Sequence, residues 1–377
     1  MGRSLIPMRN QESEIGFLGA TAGLPSSALY HLFERALVLD SQPKPELGGL
    51  PNASIFIEMS PRNLRRSAMT RRITYGLFLD YMIYLLVLLL DLCLTRLPES
   101  AAMAFGRFIG RLVWVMLPDR RSAALENLTI AFGREQPGRW IRRTAIKSFE
   151  HVGMLAVEFF RIRSWSETDT AERIVLKGRL PFNLTMMPGR HGIVLLNSHF
   201  GCFEVSAATT KFLGLQLNLL QSGVKNPFLD RYAFSRAGKD TGIRTFRDKG
   251  IVKHLIARVG NGEMMACLAD QRGDAERGVF VSYFGKSAPA NEVFAKIAID
   301  GKARVMPLHT VRGDDGRYYS EFGEEIQVKL TGDRLTDLTE LSQQFHNTFE
   351  QWLREHPDQG FWLQRKWRRK PSRRRAR

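Results

Sequence analysis

Within residues 195–204, LLNSHFGCFE, an apolar run ends on His199, and Cys202 and Glu204 follow at once. Three chemistries fit these residue types. His199 and Cys202 can form a nucleophile pair, in which the imidazole deprotonates a thiol. His199 and Glu204 can form a base and its orienting carboxylate, which fixes the tautomer and raises the basicity of the free ring nitrogen. His199 can also be a buried histidine with satisfied hydrogen bonds. On a regular helix five positions set His199 and Glu204 about 140° apart, so they meet only if the histidine lies in a strand-to-helix turn and the glutamate in the first turns of the helix. Gly201 suits such a turn because it lacks a Cβ. In that arrangement Cys202 packs as a small hydrophobe, with no third group to orient a Cys-His pair. Spacing alone does not separate the His-Glu pair from a structural histidine.

The elements that must position these residues follow from periodicity. HGIVLLNSH (191–199) reads as a buried strand entering a turn, CFEVSAATTKFLG (202–214) as a helix, and LQLNLLQS (215–222) as the next strand. DKGIVKHLIARVGNG (248–262) reads as a helix closed by Gly260, followed by the strand EMMACLAD (263–270). NEVFAKIAIDG and ARVMPLHTVR repeat helix then strand. This alternation predicts an α/β domain with a mainly parallel or mixed sheet and functional groups at strand ends. Asp270 and Gln271 stand at one such end; a turn cap is the alternative role for Asp270. Upstream, residues 100–118 and 137–162 are helical by the recurrence of apolar residues at three and four positions.

The chain of 377 residues carries 55 Lys and Arg against 38 Asp and Glu, a net charge of +17, which calls for a polyanionic partner. Nine of the basic residues lie in residues 365–377. Such a tail, with Trp362 and Trp367 as stacking candidates, suits nucleic acid, but its terminal position beside a strongly apolar protein favours an anionic membrane surface. That apolar part is residues 71–98, interrupted by Asp80 and Asp91. Eleven positions put these carboxylates about 20° apart on one helical face. Arginines flank both ends, so a spanning anchor and a helix lying against one leaflet both fit; a core helix is the remaining alternative. Residues 1–70 read as a loosely ordered extension with a short helical candidate at 27–39 and no apolar signal core at the start; Met59 and Met69 are alternative starts. Three scattered cysteines, Cys93, Cys202 and Cys267, give no disulfide framework and point to a reducing compartment. No histidine or cysteine spacing suggests a metal, and no cofactor motif is present.

The ordered motifs NSHFGCFE, NPFLDRYAFSRAGKDTGI, LADQRGDAERGVFVSYFGKSAPA and GFWLQRKWR, with LPDRRSAALENLTIAFG and SFEHVGMLAVEFFRI upstream, resemble the bacterial lipid A biosynthesis lauroyl/myristoyl acyltransferase family over roughly residues 72–370. His199 and Glu204 match its His-x4-acid pattern; Cys202 and Phe203 stand where Asn-Trp is common, and Gln364 where His is common. The resemblance implies a glycerolipid-acyltransferase-like mixed sheet flanked by helices, with an N-terminal membrane-associated helix. The domains it implies are an extension (1–70), a membrane-anchor helix (71–98), an acyltransferase domain (99–365) and a basic tail (366–377). It further implies an enzyme at the cytoplasmic face of the inner membrane. That enzyme transfers a fatty acyl group from an acyl carrier protein thioester, or acyl-CoA, to a glycolipid hydroxyl. His199 would be the base, Glu204 its polarising partner, Arg236 an oxyanion or phosphate contact (a surface arginine of a basic protein being the alternative), and Asp270 a residue orienting Arg236 or the acceptor sugar, with Gln271 beside it. VFVSYFG (279–285) would wall the acyl chain, a plain strand being the alternative. A glycerolipid acyltransferase is the nearest rival, but DQRGDAERG stands where that group carries an EGTRS-like motif; mannosylated inositol lipids are further candidate acceptors.

Overall fold

The computed structural model describes residues 61–178, 192–220, 224–238, 243–246, 251–274 and 278–367. The chain divides into two compact units, Met1–Leu64 and Arg65–Arg377, and the site lies wholly in the second. Residues 1–60 of the expected extension, with its helical candidate at 27–39, and the tail beyond Trp367 lie outside the described residues, while residues 61–70 of that extension are helical.

Four helices open the described chain: α1 (Pro61–Arg96), α2 (Glu99–Met116), α3 (Pro118–Phe132) and α4 (Gly138–Arg161). Then come α5 (Glu167–Arg173), β1 (Ile174–Lys177), β2 (Ile193–Asn197), α6 (Phe203–Phe212), β3 (Leu217–Leu220), α7 (Pro227–Gly238), β4 (Ile243–Phe246), α8 (Ile251–Gly260) and β5 (Met264–Leu268). A hairpin of β6 (Val279–Tyr283) and β7 (Lys286–Ala290) follows, then α9 (Val293–Asp300), β8 (Arg304–Arg312), β9 (Tyr318–Phe322) and α10 (Arg334–Glu355). Each strand and helix expected from residue 191 onward forms, within a few residues of the anticipated bounds.

The seven-stranded sheet has the order β1-β9-β8-β2-β5-β3-β4. Only β8 and β9, a hairpin, pair antiparallel in it; the other five pairings are parallel. Central β2 is buried along its whole length, as a strand covered on both faces must be. Its alternate residues feed two cores: Val194 and Leu196 face the larger one, with α8, α9 and α10, while Ile193 and Leu195 join Leu217, Met306 and Leu308 on the other face.

Helices α2 and α4 meet backbone to backbone. A Cβ on Gly110 would stand 2.2 Å from the Phe149 carbonyl, and one on Gly153 2.0 Å from that of Gly106. Small residues four apart therefore set this contact, as close helix approach demands.

Helix α1 contains the apolar stretch and starts ten residues earlier than expected, at Pro61. Its described inner positions, Leu77, Asp80, Tyr84, Val87, Leu88, Asp91 and Leu94, recur at helical spacing and are more buried than the residues between them. The stripe leans on α7: Tyr232 donates its hydroxyl to Asp91 Oδ2 at 2.6 Å, and Asn226 donates its amide to the Asp80 carbonyl at 2.8 Å. The two carboxylates thus do share a face, and it is the face turned to the protein. Outward lie Phe78, Leu79, Met82, Leu86 and Leu89, all exposed. Residues Gly76–Arg96 are long and apolar enough to cross a membrane.

Candidate active site

The parallel register of the sheet brings the site together. Asn197 of β2 lies opposite Leu268 of β5, so the residues two positions beyond each strand, His199 and Asp270, emerge side by side. Asp270 Oδ1 accepts two hydrogen bonds from His199, from the backbone N–H at 3.1 Å and from Nδ1–H at 2.9 Å. A carboxylate acceptor fixes the proton on Nδ1 and leaves the lone pair on Nε2. Nε2 has no hydrogen-bond partner among the described residues. The ring of Phe203 meets the imidazole edge-on at 5.3 Å, and Phe361 stands 5.9 Å away.

The turn after His199 is over-determined. Gly201 has φ +55°, and a Cβ there would lie 2.0 Å from the Thr310 carbonyl. Its N–H donates to the Gln359 carbonyl at 2.9 Å, and the Cys202 N–H donates to the Thr310 carbonyl at 2.7 Å. Below the turn, His151 lies 3.1 Å from the Gly201 carbonyl through Nε2 and 3.2 Å from Arg312 Nη1 through Nδ1. Burial, then the Arg312 charge, lowers the His151 pKa to about 3, so the ring is neutral, donating from Nε2 and accepting at Nδ1. Helix α6 starts at Phe203 and is tied to the sheet by a chain of hydroxyls, Ser206–Thr310–Ser320–Thr209, at 2.8, 2.7 and 2.8 Å. His199 is therefore in the turn and Glu204 in the first helical turn, the geometry their spacing required.

The carboxylate bonded to the imidazole is nevertheless Asp270, not Glu204. Glu204 acts on the ring through its charge. Burial lowers the His199 pKa, but the Asp270 hydrogen bond and charge, then the Glu204 charge, outweigh it, and the net shift is upward. Asp270 ends below the usual range: burial raises it, and its bonds to His199 and the charges of His199 and Lys366 prevail. Burial raises the Glu204 pKa against the charges of Arg163 and His199.

His199 and Glu204 line a cavity of about 1290 Å³ between α1, α6, the segment after α4 and the face of the sheet. That exceeds the roughly 300–1,000 Å³ of common ligand pockets. Leu88 and Leu92 of α1, Phe160, Leu217, Leu219 and Leu308 give it apolar walls. Asp270 does not line this cavity; it lies behind the imidazole, beside a second cavity of about 30 Å³. The printed partner of its carboxylate is His199, and the expected contact with Arg236 falls on a side chain outside the described residues. Gln271 is exposed and lines neither cavity. Arg236 belongs to α7, and its side chain lies outside the described residues.

Cys202 is fully buried, with Sγ 3.9 Å from Glu158 Oε1. Glu158 also accepts from Arg312 Nε and from the Tyr318 hydroxyl, each at 2.8 Å. Burial, then the Glu158 charge, pushes the thiol pKa well up, which opposes a nucleophilic thiolate. Residues 279–285 form the β6 strand and its turn against α10, and none of them lines the large cavity. Val279, Val281, Tyr283 and Phe284 join the hydrophobic core, Phe280 is exposed, and the stretch is a strand, the alternative to the expected acyl-chain wall.

Sequence reasoning missed Phe361 and Lys366. Both lie after α10, Phe361 inside the expected domain and Lys366 at the start of the stretch that charge marked as a tail. Lys366 is 6% exposed and Trp367 stacks on Tyr283 at 5.3 Å, so the folded domain continues at least to Trp367. The signal available was the aromatic spacing of GFWLQRKW, which is poorly suited to a solvated tail.

A lipid A biosynthesis acyltransferase of Haemophilus influenzae is similar to this chain, 24% identical over 172 residues, 45% of this chain and 52% of that protein. The matched region spans about half the length of that relative. The family comparison covers more. Residues 70–369, which include α2 to α10 and the whole His199 site, match bacterial lipid A biosynthesis acyltransferases, and the chain belongs to that family.

Proposed function

We propose that this protein is a membrane-associated acyltransferase that moves a fatty acyl group from an acyl carrier protein thioester to a hydroxyl of a lipid A-type glycolipid. The observation that carries the reading is an imidazole held through Nδ1 by a buried carboxylate, with Nε2 unpartnered among the described residues, on the wall of a large apolar cavity. In this reading Nε2 takes the proton of the acceptor hydroxyl as its oxygen attacks the thioester carbonyl. The tetrahedral oxyanion collapses, the C–S bond breaks, and the departing sulfur recovers the proton from the imidazolium. The products are an ester and a free thiol, with no acyl-enzyme.

Asp270 and Glu204 both stabilise the transient imidazolium, the first by a hydrogen bond and the second by charge. Arg236 is the proposed donor to the oxyanion or to a phosphate. The apolar walls accept the hydrocarbon chain, each buried methylene contributing about 0.8 kcal/mol. Exposed apolar rows on α1 and on α2 (Phe108, Val115 and Met116), with a net charge of +17, support contact with an anionic membrane, here the cytoplasmic face of the inner membrane.

Mass spectrometry of membrane lipids from cells with and without the protein tests this. A lipid A precursor gaining one acyl mass only with the intact protein is expected. A protein-dependent change confined to lysophospholipids or mannosylated inositol lipids would move the reading to those acceptors, and unchanged lipids with active, folded protein would refute it.

A further inference from the structure

We propose that Lys366 is a positioning residue for acyl transfer: anchored on His346, its ammonium holds the Asp270 main chain and so fixes the carboxylate that bonds His199. The proposal rests on the reading of His199 as the base.

A lysine is almost never buried unless its charge is matched. Lys366 is 6% exposed, and among the described residues no carboxylate lies within ion-pair distance of its ammonium. It instead donates to the Asp270 carbonyl at 2.8 Å and lies 3.2 Å from His346 Nε2. His346 suits the role of acceptor. Its Nδ1–H donates to the Ser342 carbonyl at 2.7 Å, one turn back on α10, which leaves the Nε2 lone pair for the ammonium. Burial, then the Lys366 charge, keeps the His346 pKa near 3, so this ring stays neutral over the working range. The face of Tyr283, 5.7 Å away, adds a weaker attraction.

Asp270 is therefore clamped at both ends, by Lys366 at its carbonyl and by His199 at its carboxylate. The residue follows β5 in a turn, where the neighbouring Ala269 N–H still donates to the Asn197 carbonyl and, among the described residues, no backbone–backbone bond of Asp270 itself is formed. The ammonium also contributes charge, since Lys366 helps hold the Asp270 pKa down. The titratable groups acting on Asp270 are His199, Lys366, His346, Cys267 and Tyr283; Glu204 faces His199, and Arg272 faces Lys366. Removing the ammonium leaves the His199–Asp270 pair with one positive charge fewer beside it, so the pair binds its proton more tightly.

The test combines Lys366→Met with Lys366→Gln, which keeps a donor for the Asp270 carbonyl but no charge. In the detergent-solubilised full chain, the His199 ring is titrated by nitrogen NMR, assigned from His199→Gln, and kcat and KM are measured with an acyl carrier protein thioester. Both variants are expected to titrate His199 at higher pH. Lys366→Met should lose roughly 10- to 100-fold in kcat, the weight of a hydrogen bond to a charged group, at nearly constant KM. Lys366→Gln should recover part of that loss, and Lys366→Arg, which restores the charge, should return the titration toward wild type. An unmoved His199 titration in either folded variant overturns the proposal and leaves Lys366 a structural anchor. Full activity of His199→Gln would instead refute the base reading, and the NMR titration would still decide the Lys366–Asp270 coupling.

Discussion

Replacing Asp270 by Asn separates the charge of the orienting carboxylate from its geometry. Two N–H groups of His199 converge on one oxygen, Oδ1, so an isosteric amide must present its oxygen there and its NH2 group on the other side. The ring stays in place and the tautomer is kept, but the charge is lost. A hydrogen bond to a charged group contributes about 1.5–3 kcal/mol and a neutral one about 0.5–1.5, so the imidazolium loses about 1–2 kcal/mol, or about 5- to 30-fold in kcat. Asp270→Ala also frees the ring to rotate, and its loss should approach the whole base contribution of about 10²- to 10⁴-fold. The pH dependence supplies a second sign. Without the Asp270 charge, burial dominates the His199 pKa, so the acidic limb of kcat in Asp270→Asn should move to lower pH. Steady-state acyl transfer between about pH 5 and 9 measures both effects. Wild-type kcat and an unmoved limb in Asp270→Asn, with both effects appearing in Glu204→Gln, would refute this reasoning and make Glu204 the orienting partner.

In the wild type the acidic limb should have its midpoint above about 6.5, because His199 must be unprotonated to act and its pKa is raised. The same shift has the opposite sign for stability: the His199–Asp270 pair contributes fully between about pH 3.8 and 6.5, and its contribution is lost as pH rises through the folded His199 pKa, which thermal midpoints against pH would show as a decline absent in His199→Gln. Cys202→Ser should turn over normally, and thiol reagents under native conditions should label exposed Cys93 while Cys202 resists; inactivation that tracks Cys202 modification would restore a cysteine mechanism. Gly201→Ala should lower the thermal midpoint and activity together, since a Cβ would lie 2.0 Å from the Thr310 carbonyl at a φ of +55°, and unchanged stability would show that the turn is not constrained as described.

The alternation of helix and strand from residue 191 onward was legible because each strand is a short apolar run and each helix carries its own period and stop. The turn at Gly201 and the placement of Glu204 in the next helix were legible for the same local reasons. The His199–Asp270 bond was not, because it depends on β2 and β5 being neighbours in register although some seventy residues separate them; strand order is a tertiary fact that periodicity does not carry. The strand-end position of Asp270 was legible, with a turn cap or a contact to Arg236 or a sugar as its expected roles, but not its bond to His199. Lys366 was hidden by composition, since a charge run reads as solvated until an aromatic neighbourhood encloses one member of it. The two aspartates of α1 show the converse: helical geometry put them on one face, and only the packing on α7 revealed that this face turns inward.

Removal of the acceptor proton by His199 is measured by single-turnover acyl transfer with purified His199→Ala. With acyl carrier protein thioester and a lipid A precursor in mixed micelles, and with the folded state checked by thermal midpoint, the rate should fall by about 10²- to 10⁴-fold, or about 3–5 kcal/mol. A rate equal to wild type in the folded variant would show that His199 is not the base.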